Sequence, residues 1–139
     1  MYFHHADDFR LMITQTFVAG LIACLPIIVA AEGAVRTFNC TLDRVCDAAG
    51  QCEPESGDVT FRMEPQQLDA NGAGTYQLSY DDNSVAMQAS SDAGPFIWSL
   101  DNQQHTLLIN SATRMLWHRL TLEPPLPANT RYLQCTLHQ

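Results

Sequence analysis

Past Val35, apolar and polar residues alternate with a period of two, and few patterns leave a chain fewer folds to choose from. Val59, Phe61 and Met63 alternate with Thr60, Arg62 and Glu64, and Tyr76, Leu78 and Tyr80 with Thr75, Gln77 and Ser79. After Asp81-Asp82-Asn83 come Val85, Met87 and Ala89, then Phe96, Trp98 and Leu100. Asp101-Asn102-Gln103 precedes Leu107 and Ile109, and Asn110-Ser111 leads into residues 114–122. With residues 35–42 at the front and 131–137 at the back, about eight short strands result, separated by turn residues. No stretch past Glu32 carries the 3.6-residue period of an amphipathic helix. Each strand leaves one apolar face to be covered, so the expectation is an all-β antiparallel meander. A small closed barrel is favoured over a two-sheet sandwich.

The preference for closure comes from cysteine parity. Phe38, Cys40 and Leu42 share one face of the first strand, and Leu133, Cys135 and Leu137 share one face of the last. A Cys40–Cys135 bridge would therefore join the two terminal strands from the core side, where closure brings them together. Cys46 and Cys52 would then pair locally around Ala48-Ala49-Gly50. Four cysteines allow three connectivities, and strand parity alone selects this one. Zinc is the weaker reading, because the C-x5-C-x5-C spacing does not match the short gaps of zinc sites.

The fifth cysteine, Cys24, lies in a different context. Residues 17–31 read FVAGLIACLPIIVAA, an apolar run ending in Val29-Ala30-Ala31 and followed by Glu32. This is the layout of a secretory signal, and it is short for a membrane span of about 20 residues. The expected organisation is a signal peptide over 1–31 and a disulfide-bonded β domain over 32–139, periplasmic or secreted. An uncleaved anchor is one alternative. Another is a lipoprotein anchored at Cys24, since Leu21-Ile22-Ala23-Cys24 resembles a lipobox, although the apolar Leu25-Pro26-Ile27-Ile28-Val29 follows where a polar tether is normal.

The formal net charge of −8 argues against nucleic acid or an anionic membrane surface as the main partner. All 7 basic residues are Arg, which removes every lysine-based chemistry. Cleavage after Ala31 would remove Arg10, Asp7 and Asp8 and leave 6 Arg against 13 acidic residues. Asp43, Asp47, Glu53, Glu55 and Asp58 crowd the cysteine-rich segment, and Asp81, Asp82, Asp92 and Asp101 mark turns. Solubility explains such a surface, and so does a cationic envelope or extracellular protein as partner.

Catalytic patterns are thin. His105, His118 and His138 are scattered, and no G-x-S-x-G, H-E-x-x-H or phosphate-cradling glycine loop occurs. His118 shares parity with Leu116, Leu120 and Leu122 and is expected to face the interior or the rim, as a hydrogen-bonded histidine or as a general base. Trp117 and Met115 have the opposite parity and are expected on the outer surface, as contact candidates. Asp81-Asp82-Asn83 and Asp69-Ala70-Asn71-Gly72 read as turns in preference to calcium loops. Asn39-Cys40-Thr41 fits the N-glycosylation pattern by accident, and Glu123-Pro124-Pro125-Leu126-Pro127 is expected to be a stiff connection into the last strand. No metal or cofactor is expected.

The order of apolar leader, C-x5-C-x5-C, strand meander and lone cysteine in the last strand resembles small exported proteobacterial proteins of unassigned function. It is more loosely similar to the periplasmic inhibitors of c-type lysozyme, which are small exported barrels with a terminal-strand cysteine. Those inhibitors carry a Ser-Gly-x-Lys/Arg-Tyr loop. The nearest stretch here, from Ser90-Ser91-Asp92 to Ala93-Gly94-Pro95-Phe96, has neither the basic residue nor the tyrosine, so no site residue is carried over. The functional expectation is an exported, monomeric, non-catalytic protein-binding or inhibitor module of the cell envelope. A carrier of small apolar ligands using the barrel interior and a hydrolase-like enzyme using His118 are the alternatives.

Overall fold

The structure, a computed structural model, describes residues 33–138. The expected signal peptide over 1–31, with Cys24 as the alternative lipid anchor, lies outside the described residues. Nine strands follow one another: β1 (Arg36–Asp47), β2 (Cys52–Pro54), β3 (Asp58–Leu68), β4 (Gly74–Tyr80), β5 (Asn83–Ala89), β6 (Phe96–Leu100), β7 (Gln103–Ser111), β8 (Arg114–Thr121) and β9 (Ala128–His138). All pairings are antiparallel. From β3 to β9 each strand pairs with the next, β1 pairs with β3, and β9 returns to β1. The result is an eight-stranded closed barrel, with β2 as an extra strand folded onto the far half of β1.

The closing seam lies where parity placed it. Cys40 and Cys135 are register partners across β1 and β9 and form a disulfide, and Cys46–Cys52 is the second. Such bonds fit an oxidising, extracytoplasmic environment. Among the described residues no helix is long and apolar enough to cross a membrane.

Inward-facing positions fill the lumen. Phe61, Met63, Tyr76, Leu78, Met87, Phe96, Leu107 and Met115 are all fully buried, which makes the middle of the barrel a packed core and not a channel. The alternation read in β3 to β7 therefore points the expected side chains inward. In β8 it points the other way. Met115 and Trp117 are buried inside, at 1% and 4% exposure, whereas His118 stands exposed on the outer wall. Register explains the correction. Met115 lies opposite Ile109 and Leu133, and Trp117 opposite Leu107. Directly opposed residues share a face, so the inward sides of β7 and β9 carry Met115 and Trp117 with them. Leu116 and Leu120 remain outside and partly covered.

The turns behave as their residues suggest. Asp69 Oδ1 accepts from the backbone N–H groups of Asn71 and Ala73 at 2.7 and 3.0 Å, closing a local turn. The proline segment 123–127 is a connection, tied by Thr121 N–H donating to the Pro127 carbonyl (2.9 Å) and Leu126 N–H to that of Glu123 (2.8 Å). Gly74, with φ of 138°, lies against the Gln67 carbonyl beside the β3–β4 bulge, where any Cβ would collide.

Candidate functional site at the open mouth

The barrel has two unlike ends. At one, Arg36 points inward from the start of β1, with its guanidinium carbon 5.6–5.8 Å from the rings of Phe38, Tyr76 and Phe96. Its Nη1 donates to the Asp92 carbonyl at 2.6 Å, from the β5–β6 loop that folds over it. Arg36 is a plug.

The other end opens into a cavity of about 260 Å³ lined by Tyr80, His105, Trp117, Arg119 and Arg131 among others. Adjacent strands supply these residues in register: Trp98 lies opposite His105, His105 opposite Arg119, and Trp117 opposite Arg131. The inward side of β8 thus runs Met115, Trp117, Arg119, and that of β9 runs Cys135, Leu133, Arg131. In each case the apolar alternation ends in a guanidinium at the mouth.

An aromatic box forms the wall. The His105 ring stacks on Trp98 at 4.9 Å with only 5° between planes, and Trp117 follows at 5.8 Å. Tyr80 meets Trp98 and Trp117 edge-on at 5.6 and 5.7 Å. Buried polar atoms are paired: Trp98 Nε1 donates to Tyr80 Oη, and Trp117 Nε1 donates to His105 Nδ1, both at 3.2 Å. The second bond makes Nδ1 an acceptor, so the neutral ring carries its proton on Nε2. Burial holds the His105 pKa below the ordinary histidine range, and the positive charge of Arg119 adds to the effect. Burial likewise raises the Tyr80 phenol.

Two arginines form the floor, both over the Trp117 ring, with guanidinium carbons 5.4 Å (Arg119) and 5.3 Å (Arg131) from its centroid. Arg131 is neutralised by a forked pair with Glu55, Nη2 donating at 2.8 Å and Nε at 2.9 Å. Arg119 has only the Asn129 side-chain oxygen, 3.4 Å from its Nε, as a hydrogen-bond acceptor among the described residues. Burial and the neighbouring charge of Arg131 lower its pKa from an ordinary value so high that it stays charged.

The residues singled out from sequence divide accordingly. Trp117 belongs to this mouth. Met115 lies deeper, below it on the same strand face, and His118 sits on the outer wall with its Nδ1 3.0 Å from Thr130 Oγ1. Sequence reasoning missed His105, Arg119 and Arg131. The available signal was parity: once Trp117 is inward, Arg119 is too. No group of His, Cys, Asp or Glu large enough to hold a metal ion occurs among the described residues. No family model matches this chain, and no curated protein or solved structure matches it either.

Proposed function

We propose that the chain is an exported, non-catalytic binding module of the cell envelope, periplasmic or secreted, whose open end engages a cationic protein. The observation behind this reading is a segregation of charge along the barrel axis. Asp43, Asp47, Glu53, Glu55 and Asp58 belong to the β1–β2 extension and the link into β3. Asp81 and Asp82 form the β4–β5 turn, Asp101 the β6–β7 turn, and Glu123 the β8–β9 connection. All of these lie at the mouth end, and all but Glu55 are exposed. Arg44, Arg119 and Arg131 also lie at the mouth end and leave its carboxylates in excess, whereas Glu64, Asp69 and Asp92 toward the plugged end are matched by Arg36, Arg62 and Arg114. Solubility alone asks for no such polarity, whereas steering a cationic partner onto one end does. The filled core favours recognition at the surface over carriage of an apolar ligand inside.

Capture of partners on the immobilised domain from an envelope fraction, followed by association kinetics, tests this reading. The association rate should fall steeply between roughly 10 mM and 150 mM salt, as the screening length shrinks from about 30 Å to about 8 Å. Replacing Asp81, Asp82 and Asp101 by Asn should slow association, and replacing Glu64, Asp69 and Asp92 by their amides should not. A rate insensitive to salt, or equal effects from both ends, would leave the charge as a solubility feature.

A further inference from the structure

We infer that the mouth cavity is a binding site for a small zwitterion carrying one carboxylate and an excess of cationic groups, a free basic α-amino acid. The floor holds two guanidinium groups and one carboxylate, because Glu55 neutralises Arg131 and nothing comparable neutralises Arg119. One positive charge is therefore left over at the bottom of a concave site. The Nη1 and Nη2 atoms of Arg119 make no hydrogen bond among the described residues, so a planar fork of donors is open to a carboxylate. Half-burial beside Trp117 strengthens that interaction over its value in open water.

The rim has the opposite sign. Asp58, Asp81 and Asp101 line the same cavity with exposed carboxylates, and none of them forms an ion pair among the described residues. A simple anion is repelled at this rim, and a simple cation that enters meets Arg119. A molecule with its carboxylate inward and its ammonium groups outward satisfies both layers. Tyr80, His105 and Trp117 supply neutral walls against which an aliphatic stem packs. The cavity volume of about 260 Å³ lies just under the roughly 300 Å³ at which pockets for drug-sized molecules begin, which suits a ligand of amino-acid size. The site needs no protein partner, so it stands or falls separately from the envelope module proposed above.

Titration calorimetry on the purified protein at low salt tests the assignment with three probes built on the lysine chain. L-lysine carries all the groups, cadaverine lacks the carboxylate, and hexanoate lacks the ammonium groups. L-lysine should bind, and each of the other two should bind about tenfold more weakly or less. Arg119→Gln should reduce L-lysine to the level of cadaverine, and Asp101→Asn should weaken it by a smaller factor. Arg62→Gln, on the outer wall beside Glu64, should leave binding unchanged. Thermal melts of each variant confirm that the barrel persists. Cadaverine binding as tightly as L-lysine would reduce the site to a general attraction of cations by the acidic end. Hexanoate binding equally well, unaltered binding by Arg119→Gln, or no heat from L-lysine at millimolar concentration would each overturn the assignment.

Discussion

The two ends of this barrel use the same residue in the same inward register and reach opposite results. At the plugged end Arg36 is enclosed by three aromatic rings, and the β5–β6 loop lies across it. That loop is tied down on both sides, by Asp92 N–H donating to the Asn71 carbonyl (3.1 Å) and Ile109 N–H to that of Ala93 (3.0 Å). At the mouth, the Asp81-Asp82 and Asp101-Asn102 turns are short, and the longer β1–β2 extension is tied by Glu55 to Arg131, leaving the cavity in front of Arg119 open. What an inward arginine does here depends on the length of the loop above it, and not on the strand that presents it.

The two disulfides sharpen this contrast with the largest effect. Cys40–Cys135 spans 95 residues and locks the seam of the barrel, whereas Cys46–Cys52 spans 6 and secures only the extension at the mouth. In the chain-entropy model the long loop contributes about 4–5 kcal/mol and the short one about 2 kcal/mol. Replacing Cys40 and Cys135 together by Ala should lower the unfolding free energy in urea by roughly the first amount. Replacing Cys46 and Cys52 should lower it by roughly the second and leave the near-ultraviolet signal of Trp98 and Trp117 in place. Equal losses from both pairs would mean that the extension is part of the barrel's cooperative unit.

Arginine replacements give a smaller difference between the ends. Arg36→Met gives up three cation–π contacts and a charge-assisted bond to the Asp92 carbonyl, and should cost about 1–2 kcal/mol. The cost is held down because Arg36 Nη2 is buried with no partner among the described residues. Arg119→Met removes a half-buried charge that faces Arg131 and has no carboxylate of its own, so stability should stay within about 0.5 kcal/mol or rise. Denaturant midpoints of the two variants check this ordering, and a large loss at Arg119 would make it a second plug.

How much of this was legible in the sequence depends on the faces of each strand. Where one face was polar, as in Val59-Thr60-Phe61-Arg62-Met63, alternation gave strand, face and core at once. The seam was legible because Cys40 and Cys135 shared parity with neighbouring apolar residues. In Arg114–Thr121 both faces carry apolar side chains, so the strand alone cannot choose between Leu116 and Met115 or between Leu120 and Trp117. Only the register with Leu107 and Leu133 decides, and register is a property of three strands together. The mouth was hidden by the same ambiguity, since Arg119 read as a solvent residue so long as Trp117 did. The β2 extension was missed for another reason. Cys52–Pro54 is three residues long and wholly exposed, and so carries no hydrophobic pattern.

The smallest expected effect concerns His105, which links the aromatic box to the floor. In the folded protein its pKa is depressed by burial first and by the charge of Arg119 second, with Arg131 acting the same way. The Leu100 backbone and the charge of Asp101 act in the opposite sense without cancelling them. The unfolded chain therefore takes up this proton at higher pH than the folded one. Stability from the neutral ring is fully present above the unfolded value of about 6.5, and is lost progressively as pH falls from there toward the depressed folded value. Protonation also turns Nδ1 into a donor, which removes the acceptor that Trp117 Nε1 requires. Urea midpoints measured from about pH 8 down to about pH 5 should show this decline in the parent protein, and His105→Gln, whose amide oxygen can still accept from Trp117, should flatten it. Slopes are compared and not levels, since the variant also loses the stack on Trp98. Arg36 has no titrating neighbour of this kind among its ring contacts in the relevant range, because the Tyr76 pKa is raised further above it. A flattened slope would place the acid sensitivity at the mouth, whereas parallel slopes would assign it to carboxylates spread over the surface.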